Sequence, residues 1–268
     1  MRDLVTTEDL ADELDAADLV ILDASLAPPG QPADMRAAFE HQHIPEARFL
    51  DLAALKSAPD FVAAMEQLGV GSDNRIIVYD NTPLRSATRG WWLLRQHGAR
   101  NVAVLDGGLG KWIAEGRSVE SGPARGREAS FAGHTHSDSR VTKSDILGGL
   151  DVPLVDARDS ARFSGRSSDP RPGIADGHIP GARNLPFASL YMGDGTLKSA
   201  EELRSLFIEA GIDPAAPFAA SCGSGVTACS LIFAAHLLGN HATKLYEGSW
   251  TEWGADPATP KELGHSKD

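Results

Sequence analysis

The feature that most constrains this chain is that it repeats itself. Short motifs occur twice, in the same order, along its length. Val5-Thr6-Thr7-Glu8-Asp9-Leu10 and Val141-Thr142-Lys143-Ser144-Asp145-Ile146 each read as a threonine cap, an acid three residues later and the start of an apolar helix. Ile21-Leu22-Asp23-Ala24 matches Leu154-Val155-Asp156-Ala157, and His43-Ile44-Pro45-Glu46-Ala47-Arg48 matches His178-Ile179-Pro180-Gly181-Ala182-Arg183. Arg75 to Asp80 stands where Pro217 to Cys222 stands, and Leu105-Asp106-Gly107-Gly108 with Trp112 corresponds to Tyr246-Glu247-Gly248-Ser249 with Trp253. The offset runs only from 133 (Ile21 to Leu154) to 142 (Asp80 to Cys222). Whole domains therefore stand in tandem, since such a period is too long for a solenoid unit.

Each half alternates short apolar strands with helices. The first has strands over Leu19 to Asp23, Ile76 to Tyr79 and Val102 to Leu105, with a helix near Ala87 to Gln96. The second has strands over Pro153 to Asp156, Phe218 to Ser221 and Lys244 to Tyr246, with helices near Ser199 to Ala210 and Val226 to Leu238. This pattern predicts an α/β fold in which each domain is a mainly parallel sheet flanked by helices. Residues 1–116 form the first domain and 141–268 the second; 117–140, rich in Gly, Ser and Arg with weak periodicity, read as a linker. Ligands in such sheets bind at the carboxyl ends of the strands.

Cys222 stands at such an end. The run Ala219-Ala220-Ser221-Cys222-Gly223-Ser224-Gly225-Val226-Thr227-Ala228 reads as strand, tight loop and helix, with Gly223 and Gly225 permitting turns that a side chain would obstruct. Loop N–H groups and the positive end of the following helix should converge on the sulfur and favour its thiolate, which makes Cys222 a nucleophile. A cysteine phosphatase would need an arginine six positions on to grip phosphate, and that position is Ala228. In the first half Asp80 replaces Cys222 and Asn81-Thr82-Pro83-Leu84 replaces the glycine loop. A carboxylate cannot accept a sulfur atom, so the first half is expected to be inactive.

The loop Cys222-Gly223-Ser224-Gly225-Val226-Thr227-Ala228 resembles the active-site loop of the two-domain rhodanese-type sulfurtransferases, in the form typical of those using 3-mercaptopyruvate. Thiosulfate-preferring members usually carry basic residues inside this loop; here there are none. The resemblance covers nearly the whole chain and implies tandem rhodanese-like domains, an inactive amino-terminal one and an active one. By residue match, Arg162 and Arg171 hold the substrate's carboxylate and keto oxygen, and Ser224 donates to the substrate or relays a proton. The chain departs from the family at Ala53, where a relay aspartate is expected; Asp51 matches the preceding family aspartate and would substitute only if the backbone shifts.

Read from the residues themselves, Arg158, Arg162, Arg166 and Arg171 form an anion site following a strand end. The alternative is that they pair with Asp156, Asp159, Asp169 or Asp176. Arg158 and Arg166 are expected to be structural. Arg89 either reaches toward the cleft or forms a salt bridge at the domain interface. Cys229 is expected to be a small core residue. His43 and His178 recur in both halves and are expected to support loops. Neither His41-x-His43 nor His134-x-His136 has Cys or Asp partners at metal-site spacing, so no metal is expected, and no organic cofactor is implied. Gly107 to Trp112 reads as a strand-to-helix turn rather than a phosphate loop.

Composition limits the partners. A net charge of −12 disfavours nucleic acid and anionic membrane, and an anionic substrate then needs a local arginine cluster. No apolar run approaches the ~20 residues needed to span a bilayer, the first residues carry no targeting pattern, and two cysteines make no disulfide framework. A cytoplasmic location is expected. The chemistry expected is transfer of sulfur from 3-mercaptopyruvate through a Cys222 persulfide to a small thiol, thioredoxin or cyanide, with release of pyruvate. The rivals are a thiosulfate:cyanide sulfurtransferase and a non-catalytic persulfide carrier or binding module.

Overall fold

The computed structural model describes residues 2–31, 33–55, 58–123, 129–133 and 139–264. The chain forms two compact units, one of Met1–Ser137 with Gly193–Leu197, the other of Asp138–Met192 with Lys198–Asp268. In the first unit the elements are β1 (Leu4–Val5), α1 (Thr7–Glu13), β2 (Leu19–Asp23), α2 (Met35–His41), β3 (Arg48–Phe49), α3 (Ala58–Gln67), β4 (Arg75–Tyr79), α4 (Ala87–Gln96), β5 (Asn101–Leu105) and α5 (Gly108–Ala114). The second has β6 (Arg140–Val141), α6 (Lys143–Gly148), β7 (Leu154–Asp156), α7 (Ser160–Phe163), β8 (Arg183–Asn184), a 3-10 turn over Phe187–Leu190, α8 (Ala200–Glu209), β9 (Ala219–Ser221), α9 (Ala228–Leu237), β10 (Lys244–Tyr246) and α10 (Ser249–Trp253).

Both sheets are parallel and share one strand order, β1-β5-β4-β2-β3 and β6-β10-β9-β7-β8. The long inner strands β2 and β4 are almost wholly apolar because helices cover both faces of a parallel sheet. In the second unit β9 is Ala219-Ala220-Ser221, and α9 packs on it with every residue from Ala228 to Ala235 buried. A helix that is apolar around its circumference is a core helix, and small strand residues let it approach closely. The threonine signals open α1 and α6 as capping boxes, Thr6 with Asp9 and Thr142 with Asp145. Register pairs Asp156 with Ser221, so Cys222 emerges just past the end of the sheet.

His43 and His178 do matching structural work. Each stacks on a phenylalanine, Phe39 at 4.0 Å and Phe163 at 3.8 Å, and each places Nδ1 against that residue's carbonyl oxygen. Their backbones bridge to Glu120 and Glu262. Glu120 lies within 117–140, so part of that stretch is bound to the first unit. Phe131 is bound there too, its ring 5.8 Å from that of Phe61. His134 and His136 lie outside the described residues. Gly193–Leu197 joins the first unit although it comes late in the chain: the Leu197 amide donates to Asp106 Oδ1 at 2.8 Å.

Asp80 is 4% exposed and accepts the Ala87 amide at 2.7 Å. Burial pushes its carboxyl up from 3.8 to about 6, with the Ala87 amide only partly opposing this. The folded state thus holds this proton more tightly than the unfolded state. The resulting stabilisation is full below pH 3.8 and is lost as pH rises through about 6. Asp80→Asn keeps an acceptor for Ala87 and should raise stability by about 1–3 kcal/mol at about pH 7.5, with no gain below about pH 4. Urea titrations at the two pH values check this.

Candidate active site

The loop after β9 is held from behind by α10. Trp250 and Thr251 donate their amides to the carbonyl oxygens of Cys222 and Gly223 at 3.0 and 2.9 Å, and Thr251 Oγ1 adds a bond to Gly223 at 2.6 Å. Ser249 Oγ accepts the amides of Cys222 (3.0 Å) and Gly225 (3.1 Å) while donating to Tyr246 O at 2.7 Å. These bonds correct the expectation that successive loop amides all turn to the sulfur, because those of Cys222 and Gly225 are committed to Ser249. Among the described residues, the amides of Gly223, Ser224, Val226 and Thr227 have no protein acceptor and remain to receive an anion. The helix also starts later than its apolar spacing suggests, at Ala228, so Val226 and Thr227 belong to the loop. Gly225 has φ +72°, and a Cβ there would lie 2.8 Å from the Glu247 carbonyl oxygen, which explains the second glycine.

Ser249 itself has φ +51°, a left-handed backbone that costs a non-glycine residue about 1–2 kcal/mol. Its counterpart Gly108 has φ +57°, and there a Cβ would sit 2.3 Å from the Asp80 carbonyl oxygen. The unit with the cysteine thus tolerates strain that the other relieves with glycine. Sequence reading aligned the two positions but gave Ser249 no role; the signal was serine replacing glycine in an otherwise matching turn.

Cys222 is buried, and Cys229 is a buried core residue whose thiol lies 3.4 Å from the Gly225 carbonyl oxygen. Arg171 comes to the loop. Its Nη2 is 3.4 Å from Ser224 Oγ, and a Cβ on Gly223 would lie 3.2 Å from Nη2 and 3.3 Å from Nη1. Its Nη1 binds both oxygens of Asp169 at 3.0 and 3.2 Å. Arg162, on α7, binds Asp159 through Nε at 2.5 Å, and Asp159 also caps α7 through the Arg162 amide. Burial pushes the Asp159 carboxyl up, but these contacts with Arg162 more than offset it and hold it below the usual range. Both arginines are thus paired with aspartates, as the alternative reading expected, and each uses only part of its guanidinium in doing so.

Arg158 is structural. It is 1% exposed, binds Asp156 and the Gly177 carbonyl, and lies 4.5 Å above the Trp250 ring, so it braces the end of β7 against α10. Removing one member of such a buried pair strands the other, and Arg158→Met should cost about 3–5 kcal/mol in urea unfolding. Arg166 bonds Ser164 through Nε at 3.0 Å. Asp51 and Arg89 belong to the first unit. Asp51 Oδ1 accepts the amides of Ala53 and Ala54 in a turn, and Arg89 stacks on Trp92 at 4.9 Å. Among the described residues no cluster of three or more His, Cys, Asp or Glu could hold a metal, and no helix is long and apolar enough to cross a membrane.

Duplicated five-stranded parallel sheets with a cysteine loop at one strand end define a class, and the chain belongs to the rhodanese-like domain family, which matches residues 6–115 and again 142–256. Within that family it is 38% identical over 269 residues to the 3-mercaptopyruvate sulfurtransferase of Escherichia coli K12, covering 94% of this chain and 95% of that one. The mouse 3-mercaptopyruvate sulfurtransferase is 37% identical over 272 residues, covering 94% and 92%. A chicken thiosulfate sulfurtransferase is 38% identical over 255 residues, covering 88% and 86%. The crystal structure of SseA from Escherichia coli, described as a 3-mercaptopyruvate sulfotransferase, superposes with a TM-score of 0.84 at 34% identity over 93% of this chain and 99% of that one.

Proposed function

We propose that this chain is a sulfurtransferase that takes sulfur from 3-mercaptopyruvate onto Cys222 and passes it to a thiophilic acceptor. The observation that carries this reading is the Arg171 guanidinium lying against the Cys222 loop at Gly223, a carboxylate-binding group beside a nucleophile. Arg171, with Arg162, holds the donor's carboxylate and keto oxygen and so orients its sulfur for attack. The Cys222 thiolate forms a bond to that sulfur, and the donor's carbon–sulfur bond breaks. Its electron pair leaves as the enolate of pyruvate. The donor's thiol proton balances the proton taken up at the methyl carbon, with Ser224 or water as carrier. The outer sulfur remains as a persulfide anion, stabilised by the uncommitted loop amides. A small thiol, thioredoxin or cyanide then attacks the outer sulfur and restores the thiolate, a two-step cycle that implies ping-pong kinetics. A thiolate mechanism suits the reducing cytoplasm.

Thiosulfate is the second donor to consider, since Ala53 stands where the relay aspartate is expected and a thiosulfate sulfurtransferase is among the relatives. Intact mass after mixing reduced protein with either donor separates the readings. A gain of one sulfur atom from 3-mercaptopyruvate, discharged by a thiol, is expected. Gain from thiosulfate alone would reassign the donor, and gain from neither would leave a carrier or binding module.

A further inference from the structure

Resting on the reading of Arg171 as an anchor for the donor's carboxylate, we propose that Asp169 is a positioning residue. It fixes the Arg171 guanidinium over the cysteine loop and thereby confers preference for carboxylate-bearing donors. Asp169 Oδ1 accepts the Arg171 amide at 3.0 Å and shares Nη1 with Oδ2, so one carboxylate clamps both the backbone and the head of the same arginine. Pro170 between them fixes φ and stiffens this turn. The Asp169 side chain is 1% exposed and that of Arg171 23%. The clamp is therefore shielded from water on one side, while Arg171 Nη2 lies 3.4 Å from Ser224 Oγ.

The Asp159–Arg162 pair shows what the burial adds. There the aspartate side chain is 53% exposed, so water competes for it and the arginine can re-aim. At Asp169 no such competition exists. A free arginine side chain has much rotamer entropy to lose, and holding it in place beforehand removes part of that cost from donor binding. Gly223 completes the arrangement, because a side chain there would meet the guanidinium.

Asp169→Asn preserves shape and an acceptor for the Arg171 amide but removes the charge that holds Nη1. The KM for 3-mercaptopyruvate should rise about 10- to 50-fold with kcat changed less than about threefold. Alkylation of Cys222 by neutral iodoacetamide should stay within about twofold of the parent rate, while alkylation by iodoacetate, which carries a carboxylate, should slow with the loss of the anchor. Should Asp169→Asn fail to fold, Asp169→Glu keeps the charge on a longer stem and should raise KM by an intermediate factor. An unchanged KM in either variant overturns the proposal. So does a parallel loss of kcat and iodoacetamide reactivity, which would mark Asp169 as support for the fold alone. A parent protein that takes no sulfur from 3-mercaptopyruvate defeats the underlying reading instead, which keeps the two failures distinct.

Discussion

Replacing Cys222 with serine is expected to reduce pyruvate release from 3-mercaptopyruvate by at least about 10³-fold while leaving the protein folded. The loss follows from chemistry: a serine hydroxyl is scarcely ionised at neutral pH, and among the described residues no basic side chain is bonded to the Cys222 side chain to activate a serine there. The preserved fold follows from the contacts, because the loop is fastened through the Cys222 amide and carbonyl, which serine retains. The urea midpoint should therefore shift by less than about 1 kcal/mol equivalent. Intact mass should show no added sulfur after either donor. Turnover above about one per cent of the parent would sink the assignment of Cys222 as nucleophile.

The second large effect is expected at Ser249. Ser249→Ala strands the buried amides of Cys222 and Gly225, each worth about 1–3 kcal/mol when unsatisfied. Those amides would turn or find water, and the loop would lose the shape that leaves its remaining amides uncommitted. A fall in kcat of about 10²-fold is expected, with KM little changed, since Ser249 contacts the loop and not Arg171. Ser249→Gly removes the same hydroxyl but also relieves the left-handed strain at φ +51°. The two variants should lose activity alike and differ in stability by about 1 kcal/mol, glycine being the more stable. Steady-state kinetics beside urea unfolding decide this, and unequal kcat values would show that backbone strain, rather than the hydroxyl, supports the loop.

Duplication explains why a change at Ser249 is so informative. The same turn closes both units, and the Leu109 and Trp250 amides donate to the carbonyl oxygens of Asp80 and Cys222 in the same way. What differs is the side chains. Gly108 and Gly110 offer no side chain to the segment after Asp80, whose carboxyl is bound instead by the Ala87 amide, whereas Ser249 and Thr251 face the Cys222 loop and bind it. The difference between the halves thus extends beyond Cys222 and Asp80 to the residues that shape the loop after the strand.

Much of the fold was legible because it rests on local signals. The strands at Leu19–Asp23 and Lys244–Tyr246 and the helix at Ala87–Gln96 have the predicted bounds, since apolar runs and spacing record burial directly. The edge strands β1, β3, β6 and β8, two residues each, were not legible; two residues carry no periodicity, and their pairing comes from neighbours far along the chain. The packing of Gly193–Leu197 on the first unit was invisible for the same reason.

The sequence by itself determined the tandem α/β architecture and singled out Cys222 in one half as the candidate nucleophile, because periodicity, repetition and a cysteine in a glycine loop are properties of contiguous residues. Tertiary structure alone decided which groups act on that cysteine. Ser249 reaches back 27 positions to its amides and Arg171 reaches 53 forward to Ser224. Hydrogen bonds at such separations depend on where a parallel sheet brings its strand ends, and no local pattern of residues encodes that distance.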